Sequence, residues 1–227
     1  MLKKTTSHIL VVVAHADDEV LGCGATIAKH TANGDTVSLL VMADGVSSRI
    51  SMINSEQQNR DNALAQSCNI LGISNYHCLN FPDNKLDTIA MLTLTKAIES
   101  IIEKYQPERI YTHFSGDLNI DHQKTNQAVM TATRPQPEHC VKSILCFEVP
   151  SSTEWRFEQQ YSFQPNFFKD VTGYESIKLK ALYAYQEELR AAPHARSIEN
   201  LTHLMQVRGA TIGCSFAEAF SVARITE

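Results

Sequence analysis

Residues that can bind a metal ion or move a proton follow the first apolar run of the chain. The stretch "HILVVVAHADDE" ends in His15, Asp17, Asp18 and Glu19. Three adjacent carboxylates repel one another, so a positive charge is expected close to them. An imidazole and a carboxylate three positions apart can reach one point from a turn, and a metal ion bound there would supply this charge.

A third metal ligand has to come from a distant segment, and His122 is the predicted one. It follows Asp121 in "GDLNIDHQ", shortly after another apolar run, "RIYTHF". Three protein ligands that leave one position open for water are typical of catalytic zinc sites, where bound water has a pKa of about 7. We therefore predict that His15, Asp18 and His122 bind zinc, although the same ligands also accept Fe²⁺ or another divalent cation.

Two acids beside these ligands have predicted catalytic roles. Asp17 adjoins Asp18, so its side chain is expected to reach the water rather than the metal, as a general base does. Asp121 adjoins His122 and is expected to orient a ligand histidine through a hydrogen bond. Glu19 is expected to face away and to bond backbone groups or a neighbouring helix.

Apolar runs alternate with helix-like segments up to about residue 150. This alternation predicts an α/β fold with a Rossmann-like, doubly wound, mostly parallel sheet. Ligands bind at the carboxyl ends of the strands in such sheets, and the polar clusters at 15–18, 83 and 113–122 all follow predicted strands. The last third is less regular. We predict a single domain over residues 1–227, with a core over 8–150 and a C-terminal cap over 151–227.

Composition argues against several classes of function. The chain has 227 residues, 43% of them hydrophobic, and a net charge of −5, which suits a globular domain and disfavours nucleic acid as a partner. No apolar stretch reaches the roughly 18 residues of a membrane span, and the first apolar run lacks a signal-peptide cleavage site. The six cysteines are scattered without a CxxC pair, as in reduced proteins. We expect a cytoplasmic protein, monomeric or homo-oligomeric, with a small-molecule or glycoconjugate substrate.

The two histidine motifs resemble the signature of the PIG-L, or LmbE-like, zinc-dependent N-acetyl deacetylases. The resemblance covers about residues 8–150 and is carried, in family order, by "AHADDEVLGCGAT", "RDNALAQSCNILGI", "LNFPDNKLD" and "IYTHFSGDLNIDHQKTNQAV". It implies a hydrolase that removes an N-acetyl group from an amino sugar or related glycoconjugate by attack of metal-activated water on the amide. It also implies the ligands and the general base named above, and substrate contacts from Arg60 and Asp83.

The sequence departs from the family pattern at several positions, including Ala16, where proline is usual. Asn119 stands where several members have a histidine that helps to stabilise the tetrahedral intermediate, and we assign it to substrate binding. His194, in "APHARS", is the predicted replacement, because a protonated imidazole on a loop over the rim could stabilise the oxyanion or protonate the leaving amine. His113 is expected to brace the rim. The aromatic residues near Trp155 are expected in the core, with one or two free to stack on a pyranose.

Two other classes fit part of the sequence. A receiver-like signalling domain would have paired acids after its first strand, but such domains are much shorter, and the expected lysine is absent from "CFEVPSS". A dinucleotide-binding domain would explain "LGCGAT", but the later glycine of that motif is missing and the preceding acids would repel a pyrophosphate. Both alternatives predict a protein without stoichiometric zinc.

Overall fold

The computed structural model describes residues 6–45, 54–136 and 141–226. Its strands are β1 (His8–Val13), β2 (Thr36–Ala43), β3 (Asn75–Phe81), β4 (Arg109–His113), β5 (Ser143–Phe147), β6 (Phe167–Asp170) and β7 (Ala217–Ile225). Its helices are α1 (Asp18–Ala32), α2 (Asn54–Leu71), α3 (Met91–Tyr105), α4 (Ile120–Ala132), α5 (Glu175–Leu182) and α6 (Ile198–Ile212). None of the helices in these ranges has the length and apolar character needed to span a membrane.

The strands form one sheet in the order β3-β2-β1-β4-β5-β7-β6. The first five strands in the chain pair in parallel, whereas β7 pairs antiparallel with β5 and with β6. This confirms the predicted α/β, mostly parallel sheet, and the last third of the chain adds two antiparallel strands to it. The strand order reverses between β1 and β4, which opens a crevice at their carboxyl ends, where ligands bind in such folds.

Helices cover both faces of the sheet, and this explains why β1 is apolar from Ile9 to Val13. Ile9, Val11 and Val13 pack into one core with residues of α1 and α2, whereas Leu10 and Val12 pack into a second core with residues of α3 and α4. Side chains alternate between the two faces of a strand, so a strand buried on both faces needs an unbroken apolar run.

The last third of the chain is anchored to a bend in α1 at Cys23, whose φ of −147° is not helical. Beyond the bend, the N–H groups of Ala25 and Thr26 donate to the carboxylate of Glu218 on β7 over 3.1 and 2.7 Å. Lys178 on α5 compensates this buried charge, because its Nζ donates to Glu218 over 2.7 Å. A carboxylate at the start of a helical segment is favourable. The contact fixes β7 and α5 against the helix that carries Asp18.

Gly22 allows α1 to approach β5 closely. A Cβ atom on Gly22 would lie 2.2 Å from Cδ2 of Phe147, so no other residue fits there without a shift of the helix or the ring. The Phe147 ring in turn contacts the ring of His113 at the end of β4, edge to face. The close packing of α1 therefore positions a histidine of the crevice.

Candidate metal centre and active site

The crevice between β1 and β4 brings together the three predicted metal ligands, His15, Asp18 and His122. One ligand atom of each lies within 4.8 Å of the other two. Oδ2 of Asp18 is 3.3 Å from Nδ1 of His15 and 3.4 Å from Nε2 of His122. The turn after β1 is held locally, because the backbone N–H of His15 donates to the same Oδ2 over 2.9 Å. The three side chains therefore converge on one buried point.

The unpaired atoms at this point fit a divalent cation. Oδ1 of Asp18 and Nε2 of His122, the ring nitrogen that faces Asp18, are buried and have no hydrogen-bond partner among the described residues. A buried carboxylate oxygen without a partner is costly, and a cation would remove that cost. Two imidazoles and one carboxylate are also the donor types of catalytic zinc sites.

Carboxylates lie behind both histidines. The second ring nitrogen of His15, Nε2, is 3.2 Å from Oδ2 of Asp121 and 3.0 Å from Oδ1 of Asp83. Nδ1 of His122 is 3.1 Å from Oδ1 of Asp117. Such carboxylates hold the outer nitrogen as N–H and leave the inner nitrogen for a metal. Asp121 and Asp83 both lie against His15, and the orienting role of Asp121 and the substrate contact of Asp83 stay predictions.

The carboxylates also make the cluster attractive to positive charge. Burial alone would lower the pKa of His122, but the charges of Asp18 and Asp117 raise it to about 9. Burial likewise opposes protonation of His15, and hydrogen bonds to Asp121, Asp18 and Asp83 nevertheless raise its pKa well above the usual value. The cluster therefore stabilises a positive charge at this point, on an imidazole or on a metal ion.

Asp117 was not among the residues predicted from the sequence, although it lies in the same short motif as His122. It is fully buried and accepts hydrogen bonds from the hydroxyl groups of Ser152 and Thr153. Its Oδ1 also accepts the N–H of Asn119 over 2.8 Å. Asp117 thus links the loop after β4 to the segment after β5. An acid five positions before a ligand histidine was the signal available in the sequence.

Asp17 lies at the start of α1 in a left-handed conformation with φ of 115°. Its carbonyl accepts the N–H groups of Val20 and Leu21, and its Oδ2 accepts a hydrogen bond from Nη1 of Arg196 over 2.8 Å. Burial raises the pKa of Asp17 to about 6, against the attraction of the Arg196 guanidinium. A carboxyl group with a pKa near neutrality suits a general base. Its catalytic role stays a prediction.

Glu19 points away from the metal ligands, as expected. Its carboxylate accepts hydrogen bonds from the hydroxyl of Tyr185 over 2.8 Å, from Ser67 over 3.2 Å and from the backbone N–H of Asp17 over 3.0 Å. Burial raises the pKa of Glu19 to about 7. Glu19 therefore ties the turn of Asp17 to α2 and to the segment after α5.

Arg196, rather than His194, connects the last third of the chain to the cluster. Nδ1 of His194 accepts the backbone N–H of Arg196 over 3.0 Å, and its ring packs against Trp155. Within the described ranges, none of the hydrogen bonds or ring contacts of His194 involves the metal ligands or Asp17. The catalytic role of His194 stays a prediction. Arg196 was not among the residues predicted from the sequence.

Asn119 and Arg60, the other residues predicted to bind substrate, both support loops of the crevice. Oδ1 of Asn119 accepts the N–H of Asp121 over 2.8 Å and caps α4, the helix that carries His122. Arg60 on α2 donates to the carbonyls of Gly45 and Ala16 over 2.6 and 3.3 Å, and so joins the loops after β2 and β1. These contacts explain how the loops are held, and the substrate contacts stay predictions.

His113 braces the crevice, as expected. Its Nε2 accepts the backbone N–H of Ala14 over 2.8 Å, and its ring stacks on that of His122 with 3.9 Å between the centroids. Burial lowers the pKa of His113 to about 3, so the ring is neutral and supports His122 without adding charge.

Fold and site together define an α/β protein with a buried cluster of two histidines and one aspartate, able to hold a metal ion, at the reversal of its strand order. The chain belongs to the PIG-L family, described as GlcNAc-PI de-N-acetylases, whose model matches residues 10–133. The matched region contains all three predicted ligands. The family resemblance drawn from the motifs is therefore confirmed, and the receiver-like and dinucleotide-binding interpretations are set aside.

Relatives and solved structures show the same similarity. The chain is 34% identical over 180 residues to the uncharacterized deacetylase YaiS of Escherichia coli K12, which covers 77% of this chain and 88% of that protein. It is 26% identical over 192 residues to a probable N-acetyl-α-D-glucosaminyl L-malate deacetylase 2 of Bacillus cereus, with 81% and 84% covered. The crystal structure of GalB, the 4-carboxy-2-hydroxymuconate hydratase of Pseudomonas putida KT2440, has a TM-score of 0.78 at 21% identity, covering 98% of this chain and 99% of that one. This last likeness concerns the fold alone.

Proposed function

We propose that this protein is a zinc-dependent N-deacetylase that hydrolyses the acetamide group of an amino sugar or a related glycoconjugate. The observation that supports this most directly is the convergence of His15, Asp18 and His122 on one buried point beside Asp17. The family description and the names of the E. coli and B. cereus relatives support deacetylation of an N-acetylated amino sugar. His15, Asp17, Asp18 and His122 are all buried, and electrostatic interactions are stronger there than in bulk water.

Each of the chain's own residues has a defined part in this reaction. His15, Asp18 and His122 bind the cation, which when present polarises the amide carbonyl and lowers the pKa of water. Asp17 accepts a proton from the attacking water at Oδ1, because its Oδ2 already accepts the hydrogen bond from Arg196. Asp17 then returns this proton to the amide nitrogen as the C–N bond breaks. Water and the amide are thereby converted into acetate and a free amine.

We infer a cytoplasmic location and a small-molecule or glycoconjugate substrate, with no nucleic-acid partner. The cysteines within the described ranges are all free thiols, in keeping with a reducing compartment. The net charge of −5 disfavours binding to a polyanion.

The test is acetate release from N-acetylated amino sugars by protein loaded with zinc and by protein stripped with a chelator. Asp17→Asn should lower kcat by about 10²–10⁴-fold because the general base is lost, while elemental analysis still finds one zinc per chain. Asp87→Asn serves as the control, because Asp87 is an exposed acid in the segment between β3 and α3. This variant should leave kcat unchanged.

Two results would contradict the proposal. One is near-normal turnover by the zinc-loaded Asp17→Asn variant. The other is metal-dependent hydration of an unsaturated acid without acetate release from any N-acetyl sugar, because a hydratase shares this fold.

A further inference from the structure

We propose that a groove formed by the last third of the chain and the segment after β5 binds a second, uncharged sugar ring of the substrate. This inference rests on the proposed function and concerns the part of the substrate beyond the acetylated sugar. The groove has a volume of about 430 Å³, and its wall is largely apolar, with Pro150, Trp155, Pro193 and Leu204 among its lining residues. Ligand pockets of roughly 300–1,000 Å³ with an apolar wall and a few polar groups are typical of small-molecule sites.

The groove is joined to the catalytic acids by hydrogen bonds. Nε of Arg196 donates to Oγ of Ser151 over 2.6 Å, and this bond connects the two walls of the groove. The same guanidinium donates to Asp17 through Nη1. On the other side, the hydroxyl groups of Ser152 and Thr153 hold Asp117 behind His122. We therefore place the second ring of a substrate held at the predicted metal ligands beyond Arg196, in this groove.

Trp155 offers a surface for a sugar ring. Its side chain is 42% exposed, although it lines a concave and apolar wall. The ring of His194 contacts it edge to face, at 86° and 5.8 Å between centroids, and so holds the indole in place. A large half-exposed aromatic surface buries the apolar C–H face of a pyranose, while the hydroxyl groups on the ring edge stay free for polar contacts.

The charges around the groove select an uncharged, hydroxylated ligand. Glu154 accepts the backbone N–H groups of Ser151 and Ser152, and Glu148 pairs with Arg208 through two contacts of 2.9 Å. Each carboxylate still has lone pairs that can accept hydrogen bonds from sugar hydroxyls.

Other classes of ligand fit the groove less well. No lysine or arginine is among the described residues that line it, and Arg208 already compensates Glu148, so the carboxylate of Glu154 would repel a phosphate or diphosphate. An alkyl chain would displace water from the carboxylates without replacing the lost hydrogen bonds, and this desolvation costs free energy. A neutral sugar ring avoids both costs.

The first experiment measures binding directly. Trp155 is the only tryptophan in the 227 residues, so the intrinsic tryptophan fluorescence reports on this groove alone. Neutral disaccharides of several linkages should change the fluorescence in a saturable way, whereas UDP and octanol should not. Leu204→Phe, which partly fills the groove and leaves Trp155 in place, should weaken the response to the disaccharides.

The second experiment compares an N-acetylated disaccharide with its monosaccharide as substrates. Trp155→Ala should lower kcat/KM for the disaccharide by roughly 5- to 10-fold through the loss of one stacking contact, and leave kcat/KM for the monosaccharide unchanged. Phe157→Ala is the matched control, because Phe157 is a nearby aromatic residue that is 89% exposed and does not line the groove. It should leave both values unchanged.

Failure of this inference is distinguishable from failure of the proposed function. The fluorescence titration requires no turnover, so absence of acetate release from every substrate would contradict the deacetylase while sugar binding to the groove could still be measured. Equal losses of kcat/KM on both substrates in Trp155→Ala would overturn the groove proposal. A response to UDP or octanol, or to none of the disaccharides, would also overturn it.

Discussion

Replacement of Arg196 by methionine tests how the last third of the chain controls the general base. Nη1 of Arg196 lies 2.8 Å from Oδ2 of Asp17, and the two side chains are 21% and 5% exposed. An opposite charge at such a distance lowers a carboxyl pKa by about 1–3 units. Because Arg196 is partly solvated, we use the lower end of this range. Arg196→Met should therefore raise the pKa of Asp17 by about one unit.

The direction of the activity change follows from the role of Asp17. The carboxylate has to be ionised to accept a proton from water, so activity is lost as the pH falls through its pKa. A higher pKa moves this acidic limb of the kcat/KM profile upward by about one pH unit. We expect a loss of about tenfold in kcat/KM below the limb and a smaller loss at pH 8, measured by acetate release between pH 5 and 9.

Two variants provide the controls for this experiment. Arg196→Lys keeps a positive charge near Asp17, so its acidic limb should stay close to that of the unmodified protein. Arg190→Met removes an exposed arginine side chain of the same segment, which donates to the backbone carbonyls of Glu187 and Leu189. It should leave the profile unchanged. A uniform loss of kcat/KM at every pH in Arg196→Met, with the limb unmoved, would refute the proposed electrostatic role of Arg196.

Two further predictions follow from buried groups. Asp117→Asn should weaken zinc binding by about 10- to 100-fold in competition with a chelator, because the carboxylate behind His122 is lost. Unchanged affinity would show that Asp117 serves only the loop. The second concerns His30, whose pKa is lowered to about 4 by burial and by nearby Lys169. The unfolded chain binds this proton at a pKa of about 6.5, so stability is full above that pH and is lost as the pH falls toward 4. Urea unfolding in the presence of a chelator should show that the unmodified protein loses about 2 kcal/mol more than His30→Gln between pH 8 and pH 5. Parallel losses in the two proteins would contradict this.

Local patterns in the sequence determined the parallel part of the sheet and the choice of His15, Asp18 and His122 as candidate metal ligands. The apolar run of β1 has its length and burial because both faces of the strand are covered, and that pattern is readable from neighbouring residues alone. His15 and Asp18 are three positions apart on one turn, and His122 begins a helix after β4. The rule that ligands lie at the carboxyl ends of parallel strands was then enough to place them in one crevice.

Only the tertiary structure decided which distant groups contact these ligands. The ion pair of Arg196 with Asp17 joins residues 179 positions apart, and the hydrogen bond of Ser152 with Asp117 joins residues 35 positions apart. No local pattern favoured Arg196 over His194, which lies two positions before it. Such contacts depend on the paths of several loops and on close packing across the sheet, and neither leaves a periodic signal in the chain.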